Sequence, residues 1–246
     1  MKEAHIGCSG WYYGEWRGHF YPENLSSKDF FDYYKQYFST VELNSTFYRI
    51  PSEKTLQTWY KRAPENFKYS LKVNKYITHY DFFENPREKL KGFYGLSDIL
   101  REKTGPFLFQ FPKKFIYTPK NLEILLDLLN AEYTNVVEFR HLSWWNEEVF
   151  KSFKRNNIIF CTSIGFDLSE DIQTTGDALY IRFHGNKYYN LSYTEEDLSS
   201  WVKKIKAISS PSSWIYFNNT RHGYAPINAL YLKSLLKVND EGITLT

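Results

Sequence analysis

The sequence lacks the residues and segments that mark several classes of protein. Only two of its 246 residues are cysteine, and neither Cys8 nor Cys161 has the spacing of a metal or redox motif, so we expect both to be buried apolar side chains. No apolar run approaches the roughly 18 residues that a membrane helix needs, and no basic-then-apolar leader precedes the first strand-like segment. We therefore expect a cytoplasmic protein with no membrane segment and no disulfide.

Linkers and a large charge imbalance are also absent. No stretch rich in proline, glycine and serine divides the chain, and a length near about 250 residues is typical of a large α/β barrel, so we expect one domain over residues 1–246. The net charge of +3 is mild and does not indicate a nucleic-acid-binding protein.

Strand-like and helix-like segments alternate along the whole chain. The predicted strands lie at about 4–9, 40–46, 68–73, 107–112, 135–140, 158–164, 178–184 and 214–218. Helical spacing follows most of them, at about 27–38, 87–103, 146–156 and 226–237, and after Ser52, Pro119 and Thr194. The polar stretch 166–177 has little periodicity, so the sixth helix is predicted to be short or missing. Eight strands with helical crossovers predict an α/β fold, a TIM-like (β/α)8 barrel, with an open doubly wound sheet as the alternative.

Most of these strands carry polar residues on one parity and apolar residues on the other. Because successive strand side chains point to opposite faces, closing the strands into a barrel would bring the polar set together on its axis. That inward set comprises Ser9, Glu42, Asn44, Ser70, Lys72, Gln110, Glu138, Arg140, Ser163, Arg182, His184, Tyr216 and Asn218. Such a convergence is the main reason to predict an enzyme.

The charges in this set predict a pocket for an anion. Two carboxylates, Glu42 and Glu138, face three cations, Lys72, Arg140 and Arg182, so the cluster has a surplus of about one positive charge. We expect Glu138 to be ionised because Arg140 lies two residues on along the same face, which leaves Glu42 as the candidate acid. A structural network of ion pairs that fills the axis is the alternative.

The candidate site residues combine this set with aromatic residues from the loops after the strands. Glu42, Glu138 and His184 are the predicted catalytic residues. The predicted substrate-binding residues are Ser9, Trp11, Tyr13, Asn44, Tyr48, Lys72, Gln110, Arg140, Trp144, Arg182, Asn218 and Asn219. Further loop rings are Tyr12, Trp16, Phe47, Trp145, Tyr188 and Tyr189. For any single ring, packing over the mouth of the barrel is the alternative role.

Several ordered motifs resemble those of the YecE-like family, domain of unknown function 72. They are Gly7-Cys8-Ser9-Gly10-Trp11, Phe20-Tyr21-Pro22, Val41-Glu42-Leu43-Asn44 with Phe47-Tyr48, Phe109-Gln110-Phe111-Pro112, Glu138-Phe139-Arg140 with Ser143-Trp144, Arg182-Phe183-His184-Gly185 and Tyr216-Phe217-Asn218-Asn219. The resemblance extends over about residues 5–236. It implies a TIM-like barrel but no reaction, because the activity of the family is not established.

Three functions remain open from the sequence. The first is an enzyme, a hydrolase, lyase or isomerase, that uses acid–base chemistry on a small or sugar-containing anionic substrate, a phosphate or carboxylate, without a cofactor. The second is a metal-dependent phosphodiesterase or an enzyme like the nucleic-acid repair endonucleases, with a divalent metal held by residues such as Glu42, Glu138, His184 and His222. The third is a non-catalytic barrel that binds a nucleotide or RNA; a nucleic-acid partner is not favoured.

Overall fold

The part of the chain that the structure describes has nine parallel strands at its centre. The computed structural model describes residues 3–80, 86–186 and 189–238, and of the loop rings named above Tyr188 lies outside them. The strands are β1 (Glu3–Cys8), β2 (Thr40–Leu43), β3 (Lys68–Lys72), β4 (Thr104–Gln110), β5 (Asn135–Glu138), β6 (Ile159–Phe160), β7 (Thr162–Ile164), β8 (Ala178–Phe183) and β9 (Ser212–Phe217). Every pairing between them is parallel. The prediction of an α/β fold with parallel strands is therefore confirmed.

The strands belong to two sheets that are linked through the sixth strand-like segment. One sheet has the order β1-β9-β8-β7 and the other has the order β2-β3-β4-β5-β6. Cys161 alone separates β6 from β7, so the segment predicted as one strand contributes its first half to one sheet and its second half to the other. This interruption joins the edges of the two sheets by a single residue of chain.

A tyrosine hydroxyl connects the other two edges. The Cys8 backbone N–H donates to the hydroxyl of Tyr34 over 2.9 Å, and that hydroxyl donates to the backbone carbonyl of Thr40, also over 2.9 Å. Tyr34 is fully buried. Its hydroxyl satisfies one edge group of β1 and one of β2, which do not pair with each other directly.

Nine α-helices pack outside the strands in the described residues. They are α1 (Phe30–Tyr34), α2 (Ser45–Tyr48), α3 (Glu53–Arg62), α4 (Arg87–Tyr94), α5 (Ser97–Leu100), α6 (Pro119–Leu128), α7 (Glu147–Arg155), α8 (Glu195–Lys206) and α9 (Tyr224–Leu236). Two of the helices begin at capped ends: Ser52 accepts from the backbone N–H of Thr55, and Thr194 forms a capping box with Asp197. As predicted, residues 165–177 form no helix. None of the described helices is long and apolar enough to cross a membrane.

Several predicted segments have different bounds in the structure, and three of them differ in an informative way. The strand predicted at 40–46 ends at Leu43, because the Thr46 hydroxyl contacts the backbone carbonyls of Leu43 and Lys72 and turns the chain into α2. The helix predicted at 87–103 divides into α4 and α5 around Gly95, a residue of low helix propensity. In the helix predicted at 27–38, only α1 is α-helical, after one 3₁₀ turn.

Candidate functional site

The polar residues of the inward set lie at the C-terminal ends of the strands. Lys72 and Glu138 are the last residues of β3 and β5, and one residue past the ends of β1, β2, β8 and β9 stand Ser9, Asn44, His184 and Asn218. In parallel α/β folds this is the edge at which side chains from several strands can converge. The position of the set therefore matches the edge where a site is expected.

Arg182 of β8 lies between two glutamates from the other sheet. Its Nε and Nη2 atoms donate to the two carboxylate oxygens of Glu42 over 2.9 and 2.6 Å, and its Nη1 atom donates to Oε2 of Glu138 over 2.6 Å. All three side chains are fully buried. A guanidinium that binds one carboxylate through two donors and another carboxylate through its third donor is strongly oriented. This ion triad holds β2 and β5 of one sheet against β8 of the other.

Glu42 has no free lone pair in this arrangement. Oε1 accepts from the hydroxyl of Ser9 over 2.6 Å as well as from Arg182, and Oε2 accepts from the hydroxyl of Tyr180 over 2.8 Å as well as from Arg182. A carboxylate offers about four acceptor positions, and protein donors occupy all of them. Glu42 is therefore placed as an acceptor that orients four donors.

Glu138 is held in its ionised form. Burial alone would raise the pKa of Glu138, but the nearby charges of Arg140 and Arg182 hold this pKa well below its ordinary value. Arg140 contacts Oε1 through Nη2, and Arg182 contacts Oε2. The direction of this shift agrees with the ionised state expected from the sequence.

His184 is neutral and lies between two polar side chains. Burial, followed by repulsion from Arg182 and Arg140, lowers the pKa of His184 well below its ordinary value. Nη1 of Arg182 lies 3.3 Å from Nε2 of the ring. Nδ1 lies 3.0 Å from the side-chain amide of Asn218, which lies 3.2 Å from that of Asn44. A continuous polar chain thus leads from the ion triad to Asn44.

Two cations at the rim of the cluster are less completely engaged than Arg182. The guanidinium of Arg140 lies over the ring of Phe166 at 3.8 Å, and its buried Nε has no acceptor among the described residues. The ammonium of Lys72 lies 4.3 Å from the ring centroid of Phe47 and forms no ion pair or hydrogen bond with the part of the chain that the structure describes. These two side chains are the available positive charges of the site.

An aromatic cavity of about 550 Å³ opens beside the cluster. It is lined by Ser9, Gly10, Trp11, Tyr12, Tyr13, Leu43, Asn44, Ser45, Tyr48 and Trp59. The cavity meets the polar network at Ser9, which donates to Glu42, and at Asn44, the end of the chain from His184. Five of the predicted substrate-binding residues therefore line one cavity: Ser9, Trp11, Tyr13, Asn44 and Tyr48.

The structure does not bring three other predicted substrate-binding residues into this group. Trp144 is fully buried, stacks on Phe139 at 4.0 Å and donates its indole N–H to the carbonyl of Phe115. Asn219 is buried and donates to the Leu191 carbonyl and to Asn228, which anchors the loop after β8. The side-chain nitrogen of Gln110 donates to the adjacent carbonyl of Phe111.

The candidate metal ligands do not form a metal-binding group. Within residues 3–80, 86–186 and 189–238 there is no cluster of three or more His, Cys, Asp or Glu side chains suited to a metal ion. The guanidinium of Arg182 lies between Glu42 and Glu138 and also contacts His184, so a cation already occupies the position that these ligands surround. His222 is an exposed residue of the turn before α9 and does not join them.

Several residues that complete the site were not among the predicted site residues. Tyr180 shares the parity of Arg182, so its hydroxyl bond to Glu42 could have been predicted from the strand pattern. Trp59 lies within α3, and Phe166 lies in the irregular stretch after β7, so no strand pattern marked either residue. Their positions depend on how the helices and loops pack against the strand ends.

Comparison with known proteins identifies a family model and relatives that are similar to this chain. The family model described as "Protein of unknown function DUF72" matches residues 5–246. The UPF0759 protein YunF of Bacillus subtilis (strain 168) is 24% identical over 275 residues, which cover 97% of this chain and 96% of that protein. The UPF0759 protein YecE of Escherichia coli (strain K12) is 27% identical over 111 residues, 44% of this chain and 40% of that protein.

Two solved structures have a similar fold. A DUF72 family protein from Thermotoga maritima MSB8 superposes with a TM-score of 0.86 at 31% identity, over 96% of this chain and 99% of that one. A DUF72 family protein from Enterococcus faecalis V583 superposes with a TM-score of 0.82 at 19% identity, over 96% of each chain, and supports the fold alone. These similarities identify the fold and the relatives but describe no activity.

Replacing Arg182 by methionine is expected to destabilise the protein by about 3–5 kcal/mol, because it leaves Glu42 and Glu138 buried without a countercharge. The free energy of unfolding in urea measures this loss. The triple variant E42Q/E138Q/R182M, which removes all three charges, should be more stable than R182M alone. The matched control is R155M, since Arg155 is exposed on α7 and donates, within the described part of the chain, to Ser152 alone; its effect should stay within about 0.5 kcal/mol. An R182M protein as stable as R155M would contradict this account of the triad.

Proposed function

The chain belongs to the DUF72 family, and from that premise we propose that it is an enzyme that binds a small, sugar-containing anion, a phosphate or carboxylate, at the C-terminal ends of its strands and acts on it by acid–base chemistry. The observation that carries the proposal is the pair of rim cations, Arg140 and Lys72. Among the described residues, Arg140 has a buried Nε–H with no acceptor and Lys72 has no carboxylate partner. A buried donor such as that of Arg140 is costly unless an acceptor meets the side chain, and an anion supplies one.

The charge balance of the cluster supports an anionic ligand. Glu42 and Glu138 offset the two guanidiniums of Arg182 and Arg140, and His184 is neutral. The ammonium of Lys72 is then the surplus positive charge. A structural network of ion pairs was the alternative role for this polar set. The ion triad and the ligand site are different parts of the cluster. The triad lies beneath the rim cations and fixes Glu138, which in turn positions Arg140.

Acid–base chemistry is assigned to Lys72 rather than to the glutamates. Burial, followed by repulsion from Arg182, lowers the pKa of Lys72 to about 7 against opposing attraction from Glu138 and Glu42. A group that titrates near the working pH can both take up and release a proton. Glu42 has no free acceptor position and Glu138 is held ionised by two arginines, so we assign both to positioning, with His184 as the link to Asn218 and Asn44.

The aromatic cavity supports a ring-containing substrate. A volume of about 550 Å³ is within the range of small-molecule sites, and the rings of Trp11, Tyr48 and Trp59 offer flat apolar faces on which a sugar can stack. Ser9 and Asn44 add polar groups at the side of the cavity that meets the cluster. A ligand with an anionic group at the rim and a sugar in the cavity would use both features.

The position of the site also bears on how the two sheets are joined. We propose that the two sheets close into one TIM-like (β/α)8 barrel, and that residues 1–246 form a single domain. The continuous chain from β6 to β7 and the Tyr34 hydroxyl between β1 and β2 support closure at both pairs of edges. Barrel enzymes build their sites at the C-terminal ends of the strands, which is where these polar residues lie.

The affinity for a divalent anion should depend on the protonation of Lys72. Sulfate keeps a constant charge over this range, so calorimetric titration with sulfate reports the protein alone. As the pH rises from 6 to 8.5 through the pKa of about 7, Lys72 loses its charge and sulfate binding should weaken on the order of tenfold. Binding by K72R should be tight and nearly independent of pH, and binding by K72M should be weak at every pH. An unchanged sulfate affinity of the wild-type protein across this range would argue against the proposal.

Tyr48 should contribute to the affinity for a sugar phosphate but not to that for sulfate. Its side chain is 67% exposed and lines the cavity, so Y48A removes a stacking face with little effect on packing. We expect ribose 5-phosphate to bind about 5- to 20-fold more weakly to Y48A, with sulfate affinity unchanged. The control is I227A, an exposed apolar residue of α9 outside the cavity. If Y48A lost affinity equally for both ligands, or kept its affinity for ribose 5-phosphate, the proposal that the cavity binds a sugar would be wrong.

A further inference from the structure

The amine of Lys72 is not committed to any partner that the structure describes. Every other charged group of the cluster is paired: Arg182 with Glu42 and Glu138, and Arg140 with Glu138. Lys72 instead lies over the face of Phe47 and is only partly buried, so a small molecule can reach it. A lysine in a charged pocket with no carboxylate bound to it does not need to remain an ammonium.

Lys72 is divided between its ammonium and its neutral amine near neutral pH, because burial lowers its pKa to about 7. Arg182 of β8 and Arg140 beyond β5 repel its positive charge, while Glu138 and Glu42 attract it but are themselves held by the arginines. The neighbouring imidazoles are uncharged at neutral pH: burial lowers the pKa of His79 to about 4, and the pKa of His184 lies well below its ordinary value. A neutral lysine amine is a nucleophile, whereas an ammonium is not.

We propose that Lys72 forms an imine with the carbonyl group of an aldehyde or ketone substrate whose anionic group is bound by Arg140. The inference rests on the proposed function, since it assigns a carbonyl to the same small sugar-containing anion. It narrows the substrate class to sugar phosphates and oxo acids in their open, carbonyl forms. Arg140 would hold the anion, and Lys72 would react with the carbonyl carbon.

The reaction needs no oxidant, reductant or metal. The nitrogen lone pair of Lys72 forms a C–N bond to the carbonyl carbon as the C=O π bond opens, and one proton moves from nitrogen to oxygen to give a carbinolamine. The nitrogen then loses its second proton, the C–O bond breaks, and the hydroxyl group leaves with a proton as water. One amine and one carbonyl thus give one imine and one water, and uptake of a proton from solvent makes the imine an electron-withdrawing iminium. Such an intermediate makes an adjacent C–H or C–C bond easier to break, which is the chemistry of lyases and isomerases.

Reductive trapping tests the proposal directly. The full-length protein is incubated with D-glyceraldehyde 3-phosphate and sodium cyanoborohydride at pH 7.5, and the modified lysine is identified by mass spectrometry of the intact protein and its peptides. We expect a single adduct on Lys72, formed on the order of a hundredfold faster than on surface lysines, because about half or more of the Lys72 amine is neutral there against less than about 1% of an exposed lysine. The trapping rate should rise with pH through a midpoint near 7.

Matched variants separate this inference from the function on which it rests. K72R keeps the positive charge but cannot form a stable imine, so it should lose the adduct and bind sulfate tightly at every pH. K75R, three residues further along the chain and over the rings of Tyr48 and Tyr76, should keep the adduct on Lys72. Glycerol 3-phosphate, which has no carbonyl, should slow trapping by competition and give no adduct itself. Normal sulfate binding with no adduct on Lys72, or with label spread over surface lysines, would overturn the imine and leave the proposed function standing. If the wild-type protein did not bind sulfate, both the imine and the proposed function would be overturned.

Discussion

The organisation of the site depends on one buried cation, the guanidinium of Arg182. It is fully buried, and three of its nitrogen atoms are directed at two carboxylates that come from the other sheet. Burying an arginine is unfavourable unless its donors are satisfied, and burying two glutamates is unfavourable without a countercharge. Because each of the three charges requires the others, their side chains have one arrangement, and that arrangement fixes the C-terminal ends of β2, β5 and β8 relative to each other.

The other polar groups take their state from this triad. Arg182 contacts His184 directly and, through Glu138, holds the position of Arg140. Burial lowers the pKa of Lys72, and repulsion from Arg182 adds to this effect. Of the five charged residues at the strand ends, the triad uses three for structure, and it leaves Arg140 and Lys72 at the rim with donors that a ligand can use. The structural ion-pair network and the functional pocket are therefore compatible.

The strand pattern predicted much of this site because parity alone decides which side chains share a face. Glu42, Glu138, Arg182 and His184 were assigned to one face from alternation, and the structure brings them into contact. Alternation does not say which charges pair, since that depends on side-chain reach across the interior. Parity therefore made Glu42 a candidate for proton transfer, whereas in the structure four donors occupy its oxygens. The roles of Trp59 and Phe166 follow from the packing of a helix and an irregular loop, for which the sequence carries no simple period.

The most direct test of the account is a crystal structure of the protein with ribose 5-phosphate at pH 6.5, where Lys72 is charged. The account predicts that the phosphate contacts the guanidinium of Arg140 and Nζ of Lys72, that the sugar lies in the cavity between Trp11, Tyr48 and Trp59, and that the contacts of Arg182 with Glu42 and Glu138 are unchanged. A phosphate bound elsewhere on the protein, or bound in place of the two glutamates on Arg182, would contradict it.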